Sequence, residues 1–418
     1  MRRTLSVLGL LAVMVAAPRA AFAIPPWARK YNVNCSHCHY PAVPRLNATG
    51  IGFKWAGYRM PGEIGEKTDV QKIEEYLGSR TRIQYNYAKA RGEPTSENGI
   101  SVPAASVFAA GPFGKNFGAY LELEREAEGS VDLVAEATGT WGTETSFGGL
   151  RFGAGHLLYG GAVAGFDRPT GIAAPLPMAE PTTAAVPFSF AGDQSAVEAF
   201  YVFGGRNRLS VRALNSLRAG APLGPPEEGG EAGAAGGEGE EGEAGVGTGR
   251  DFAVTNQLMW DEAGSGLTTV AYFGQVAGLD PLALDRSSRY IRLAATANKV
   301  LRNVELLGGY VYSRDRNLPI PIVDGLPGGV SRATGSAYWA SGQYFLPKTP
   351  LALYTRYEFI DPDADIDADA RRRWVVGGVM PMNVPEYLRL GLEYILDRPQ
   401  ADAGPRGQRL AAEVMVAF

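Results

Sequence analysis

From Ser79 to the end of the chain, apolar and polar residues alternate with a period of two. Ile83, Tyr85 and Tyr87 alternate with Arg82, Gln84 and Asn86, and Phe117, Ala119, Leu121 and Leu123 alternate with Gly118, Tyr120, Glu122 and Glu124. Leu351, Leu353, Tyr357 and Phe359 stand against Tyr354, Arg356 and Glu358; Leu388, Leu390, Leu392 and Tyr394 stand against Arg389, Gly391 and Glu393. Successive side chains of a strand point to opposite faces, so each run predicts one apolar and one charged face. That is the pattern of a transmembrane barrel strand, with lipid outside and a polar lumen inside.

The connections carry a second signal. Short turns fall at 111–116, 204–207, 261–266, 298–303 and 347–350, and long segments at 91–101, 159–190, 218–250, 277–287, 314–332, 361–372 and 397–407. Outer-membrane barrels have short periplasmic turns and longer extracellular loops, and placing strands between these connections predicts about 16 of them. In the last strand Leu410, Ala412, Val414, Val416 and Phe418 share one face, with Arg409, Glu413 and Met415 on the other. A soluble sandwich would alternate too, but it accounts for neither the loop asymmetry nor the inward arginines and glutamates. The predicted fold is therefore mainly β: a small N-terminal segment, then an antiparallel transmembrane barrel over 79–418. His156 continues the phase of Leu150, Phe152 and Ala154, so it is expected to point outward at a strand end.

The first residues read as an address. Arg2 and Arg3 precede an apolar run from Leu5 to Ala17, and Ala21-Phe22-Ala23 forms a cleavage site, which predicts a signal peptide over 1–23. Export to the bacterial outer membrane follows. No later apolar run is long enough for a membrane helix, which leaves a barrel untouched as a possibility. A net charge of −4 gives no basic surface for nucleic acid.

Two of the long loops are acidic. The stretch from Ala221 to Gly249 carries seven glutamates, Glu227 to Glu243, and no basic residue. It reads as a solvated loop or as a cation-gathering funnel at the cell surface. The run Asp361, Asp363, Asp365, Asp367, Asp369 lacks the glycine and terminal glutamate of an EF-hand, so it offers no more than a loose acidic cluster for a cation. The loop 159–190 is poor in charge and rich in Ala and Pro, and is expected to fold into the lumen as a constriction.

Between signal and barrel lies Cys35-Ser36-His37-Cys38-His39. Cys-x-x-Cys-His is the attachment sequence of a c-type haem: the two thiols add to the two vinyl groups, and the following histidine becomes the proximal iron ligand. A redox dithiol or half a zinc site also uses Cys-x-x-Cys. The chain has only these two cysteines, however, and only one histidine, His156, outside the motif. The cofactor expected is one covalent haem c held by Cys35, Cys38 and His39. Met60 is the candidate distal ligand, since Met with His is a common pairing; the alternative is that it packs in the turn before Pro61. His156 is a weaker candidate, and His37 sits too close to the tether to reach the same iron. Leu46, Phe53, Trp55 and Tyr58 are available to keep water from the haem. Thr68 to Gln71 resembles a capping box opening a short helix through Leu77, closed by Gly78.

The run Cys35 to His39, then Pro44-Arg45-Leu46-Asn47, then Gly52-Phe53-Lys54 leading to Gly57-Tyr58 and Met60, resembles the fused cytochrome–porin family of outer-membrane proteins, whose best-known members are iron(II) oxidases. The likeness is specific over 24–60 and architectural over the barrel. It implies His39 as proximal and Met60 as second ligand. It implies electron transfer between an extracellular donor, Fe(II) foremost, and a periplasmic electron carrier such as a soluble cytochrome. The expected organisation is a haem segment over 24–78 that plugs the barrel, which would also give so small a segment a core. Lumen-facing Arg82, Arg292, Arg356 and Arg389 are available to haem propionates or to a hydrated pore. A solute porin with a structural or gating haem plug, and electron export to an outside acceptor, are the competing readings.

Overall fold

The computed structural model describes residues 26–39, 45–70, 72–91, 96–126, 131–154, 171–183, 186, 188–190, 195–215, 250–276, 288–319, 330–366, 369–382, 388–400 and 406–417. The signal peptide, His156, the glutamate-rich loop and Phe418 lie outside them.

Sixteen antiparallel strands close into one barrel. They are β1 (Leu77–Ala90), β2 (Glu97–Phe113), β3 (Phe117–Glu126), β4 (Val131–Gly142), β5 (Phe147–Ala154), β6 (Ala196–Phe203), β7 (Asn207–Asn215) and β8 (Arg250–Met259). There follow β9 (Gly266–Val276), β10 (Ser288–Leu301), β11 (Val304–Pro319), β12 (Val330–Phe345), β13 (Ala352–Asp361), β14 (Arg371–Met382), β15 (Leu388–Pro399) and β16 (Gly407–Ala417). Each strand pairs with its sequence neighbours, and β16 returns to β1 from Arg80↔Ala417 to Ala90↔Gly407, so no edge is left to recruit another chain. The period-two expectation holds strand by strand. On β13, Leu353 is exposed on the outer face while Tyr354, Arg356 and Glu358 are buried in the lumen.

The exterior is apolar: Leu121, Leu123, Leu133, Leu150, Phe152, Val197, Leu209, Leu293 and Leu392 are all exposed. Water does not tolerate an apolar belt of that extent, whereas lipid requires it. Exposed Phe113, Phe117, Trp141, Phe203, Trp260 and Tyr344 ring the short-turn end, where an aromatic girdle marks the membrane interface. The protein is thus an outer-membrane β-barrel, with its short-turn end facing the periplasm by the rule for such barrels.

The lumen is lined by paired charges. Arg82 and Arg389 both meet Glu413, at 2.9 and 2.6 Å. Arg292 meets Asp315 at 2.5 Å, and Arg356 pairs with Glu358. All four arginines expected in the lumen are there; Arg82, Arg292 and Arg389 engage carboxylates of an adjacent strand, and Arg356 one on its own strand.

Residues 171–183, 186 and 188–190, between β5 and β6, lie within the lumen, as the low charge of that loop suggested. A short helix, α3 (Leu176–Ala179, numbered after two helices of the N-terminal segment described below), sits at its centre. Its backbone is held by wall carboxylates: Glu393 accepts from Ile172 and Ala173, and Glu358 from Leu176 at 2.9 Å. Leu176, Met178, Val186, Phe188 and Phe190 pack on Tyr272, Tyr290 and Trp339 of the wall to form an apolar core inside the barrel.

The helix expected from Thr68 to Leu77 does not form. Thr68 exchanges backbone hydrogen bonds of 2.9 Å with Gly114 in the β2–β3 turn, and only Ile73–Glu75 makes a 3-10 turn. Leu77 and Gly78 join β1, opposite Ala109 and Phe108. Pairing with β2 satisfies the same backbone groups, and Ile73, at 67% exposure, has no core to turn an amphipathic helix toward.

Candidate functional site

The N-terminal segment consists of α1 (Pro26–Tyr31), a 3-10 turn over Cys35–His37, α2 (Ala48–Trp55), and two further 3-10 turns. In a 3-10 turn, side chains three positions apart eclipse one another. Cys35 and Cys38 therefore come to one side of the backbone. Neither is in a disulfide, and both are half-buried. His39 follows, its amide bonded to the Cys35 carbonyl at 2.9 Å, and it forms a β-bridge with Leu46. Its Nδ1 lies 3.1 Å from the Arg45 carbonyl. A carbonyl can only accept, so Nδ1 carries the proton, and in the neutral ring the lone pair is on Nε2. That tautomer is the one a histidine needs to ligate through Nε2, and a carbonyl behind it fixes the ring.

Asn47 ties this turn to α2. Its side chain accepts from the Gly50 amide at 3.0 Å, capping the helix, and donates to the carbonyls of Ser36 and His37. Its own amide donates to Cys38 at 2.9 Å. At Gly50 the helix passes against the Cys38 carbonyl so closely that a Cβ would overlap it. One face of the turn, lined by Asn32, Val33, Asn34, Ser36 and His37, borders an open cavity of about 310 Å³. Burial pushes the Cys38 thiol up, against the thiolate that zinc binding or dithiol chemistry requires. Among the described residues, which include Asp361, Asp363, Asp365 and Asp369 of the aspartate run, no group of three or more His, Cys, Asp or Glu could hold a metal ion.

Met60 lies beyond the other end of α2, about 12 Å of helix away from the Asn47 cap. Its amide donates to Glu63 Oε2 at 3.0 Å, and the same carboxylate accepts from the Tyr31 hydroxyl at 2.7 Å. The side chains expected to shield a haem have docking roles. Trp55, with Ile51 and Ala56, packs on Phe147, Phe200, Val202 and Met259 of the barrel wall. Tyr58 stacks between Trp27 and Tyr120 of β3, at 5.6 Å from each, and Phe53 meets Trp27 and Tyr31 edge-on.

Polar contacts fasten the same segment at the short-turn end. Arg45 pairs with buried Glu305 of β11 at 2.5 Å and donates to Ala263 in the β8–β9 turn. Arg59 donates to the carbonyls of Lys115 and Phe117, and Ala48 to that of Glu262. Gly118 on β3 lies so close to the Gly57 carbonyl that no side chain could stand between them. The wall residues involved lie within about four positions of a short turn, so the segment enters the barrel by roughly 10 Å, allowing for strand tilt. Asn47, Gly50, Arg45 and Gly118 were not singled out from the sequence as site residues. An Asn before a helix is a legible cap signal, but its reach to Ser36 and His37 is not.

No protein-family model matches the chain, and no curated protein matches it in sequence. Solved structures match in fold. The chain is similar to the anion-selective porin from Comamonas acidovorans, at 13% identity and a TM-score of 0.51, over 82% of this chain and 98% of that one. It is similar to the outer-membrane channel DcaP of Acinetobacter baumannii, at 13% identity and TM-score 0.50, over 85% and 100%. The trimer form of OmpT, an outer membrane protein of Vibrio cholerae, gives 10% identity and TM-score 0.50, over 82% and 99%. These likenesses define the fold class: a porin-type outer-membrane β-barrel.

Proposed function

We propose that this barrel carries one covalent haem c, tethered through Cys35 and Cys38 with His39 as proximal ligand, and that it moves electrons between an extracellular donor and a periplasmic carrier. The observation that supports this best is the His39 Nδ1 contact with the Arg45 carbonyl, in a turn that sets both cysteines on one side. A haem bound there supplies one-electron chemistry. The chain's own residues do the rest. Arg45 orients the His39 ring through its carbonyl and anchors it to the wall through its guanidinium. Asn47 and Gly50 hold the tether against α2. Met60, at the far end of α2, is the proposed distal ligand. Residues 26–76 act as the plug that brings the redox group into the barrel mouth. Fe(II) is the proposed donor by the resemblance over 24–60.

A second reading is a solute porin whose haem segment is a structural or gating plug. The fold likeness to porins and the segment 171–190 across the lumen favour it. Mixing purified protein with Fe(II) separates the two. The electron-transfer reading predicts rapid growth of the reduced-haem absorbance; an oxidised haem that stays oxidised, with solute flux through the reconstituted barrel, would favour the porin.

A further inference from the structure

Above the plug, the lumen wall holds a polar cluster with unspent hydrogen-bonding capacity. Arg208 of β7 donates through one terminal nitrogen to Glu198 Oε2 at 2.9 Å, while among the described residues its Nε and its other terminal nitrogen have no hydrogen-bond partner. Ser210 Oγ, two positions along the same face, and both polar atoms of Gln257 are likewise unpartnered. Arg208 and Gln257 face each other across the β7–β8 ladder, and Ser210 is next along it, opposite Thr255. Directly opposed side chains in a ladder start about 5 Å apart, so the three polar ends share one patch. All three are buried, at 2%, 1% and 1% exposure. Buried polar groups are almost always matched, and an unmatched group of donors marks where a ligand or ordered solvent belongs.

The charge of the patch decides the sign of that ligand. Three guanidiniums, Arg151, Arg208 and Arg212, surround the carboxylate of Glu198, and Glu136 takes part of Arg151. Three cations stand against two carboxylates, so the cluster is one positive charge in excess. The Arg208 guanidinium lies 4.3 Å from the Phe200 ring, which fixes it in place. Phe200 also packs with Ile51 and Trp55 of the N-terminal segment, so the patch adjoins the plug.

We infer that Arg208, Ser210 and Gln257 form an oxyanion site, taking a carboxylate or phosphate-like group in the lumen immediately above the plug. Arg208 supplies charge and an N–H donor, Ser210 a hydroxyl, and Gln257 an amide that can both donate and accept. Two sources carry this chemistry: a propionate of the tethered haem, or a free oxyanion entering through the pore. The first rests on the haem reading; the second does not.

The test uses full-length protein in detergent, wild type and the C35A/C38A variant that cannot tether haem, titrated calorimetrically with inorganic phosphate. Saturable phosphate binding to both forms, weakened at least tenfold by R208Q or Q257L, supports a free-oxyanion site. Binding to C35A/C38A only, together with a shifted haem midpoint potential in R208Q, supports the propionate. Should the wild type carry no haem, phosphate binding to it decides alone. No saturable phosphate binding in either form, with an unchanged potential in folded R208Q and Q257L, overturns the inference.

Discussion

At the scale of single residues, the haem turn and α2 are held by a close approach that leaves no room for a side chain. Gly50 lies against the Cys38 carbonyl and the Leu46 side chain. A methyl group there has to push α2 off the turn, and overpacking of that kind costs about 1–3 kcal/mol. G50A is therefore expected to leave the barrel folded but to lower the covalent haem content, read as the ratio of haem to protein absorbance. An unchanged ratio would mean that the contact between turn and helix does not matter for attachment. Asp369 gives a second prediction, at the long-loop end. Burial, and then the charges of Asp361 and Asp363, push its carboxyl up to about 6. Its folded pKa exceeds its unfolded one, so its contribution to loop order is complete below about pH 4 and is lost as pH rises through about 6. Hydrogen-exchange protection at 361–366 and 369–370, corrected for the intrinsic base-catalysed rate, should fall between about pH 4 and pH 6, and D369N should remove that dependence.

At the scale of elements, the strands were legible because lipid and lumen select opposite residue types at alternate positions. Every inward arginine expected from that phase, Arg82, Arg292, Arg356 and Arg389, points inward. What each one meets was not legible: its carboxylate partner, two residues away at Glu358 or on a neighbouring strand at Asp315 or Glu413, depends on register and rotamer. The stretch 68–77 shows the opposite failure. Its local capping signal was overridden by pairing with the β2–β3 turn and β2, which its sequence does not reveal. The segment 171–190 was legible in kind, by its low charge, but not in its anchors. Glu393 accepts from the amides of Ile172 and Ala173 and from the Tyr354 hydroxyl. Removing its charge with E393Q weakens bonds worth about 2 kcal/mol together with the fixed position of the loop. Single-channel recordings should show a larger or noisier conductance for E393Q than for wild type, and identical traces would place the constriction elsewhere.

At the scale of the whole molecule, the lumen is occupied twice. Described residues of the segment before β1 pack on the wall at the short-turn mouth, and described residues between 171 and 190 pack on the wall inside the barrel. A freely conducting pore needs neither. A redox conduit benefits from both, because an electron cannot cross an apolar band roughly 25 Å tall unaided and a donor must be brought within reach of the redox group. The direct measurement is made on liposomes carrying the barrel in one orientation and enclosing an oxidised soluble cytochrome c, with Fe(II) added outside only. Electron transfer through a tethered haem predicts reduction of the enclosed cytochrome by wild-type protein and none above background by C35A/C38A. No reduction with the wild type, or equal reduction with both, would contradict it.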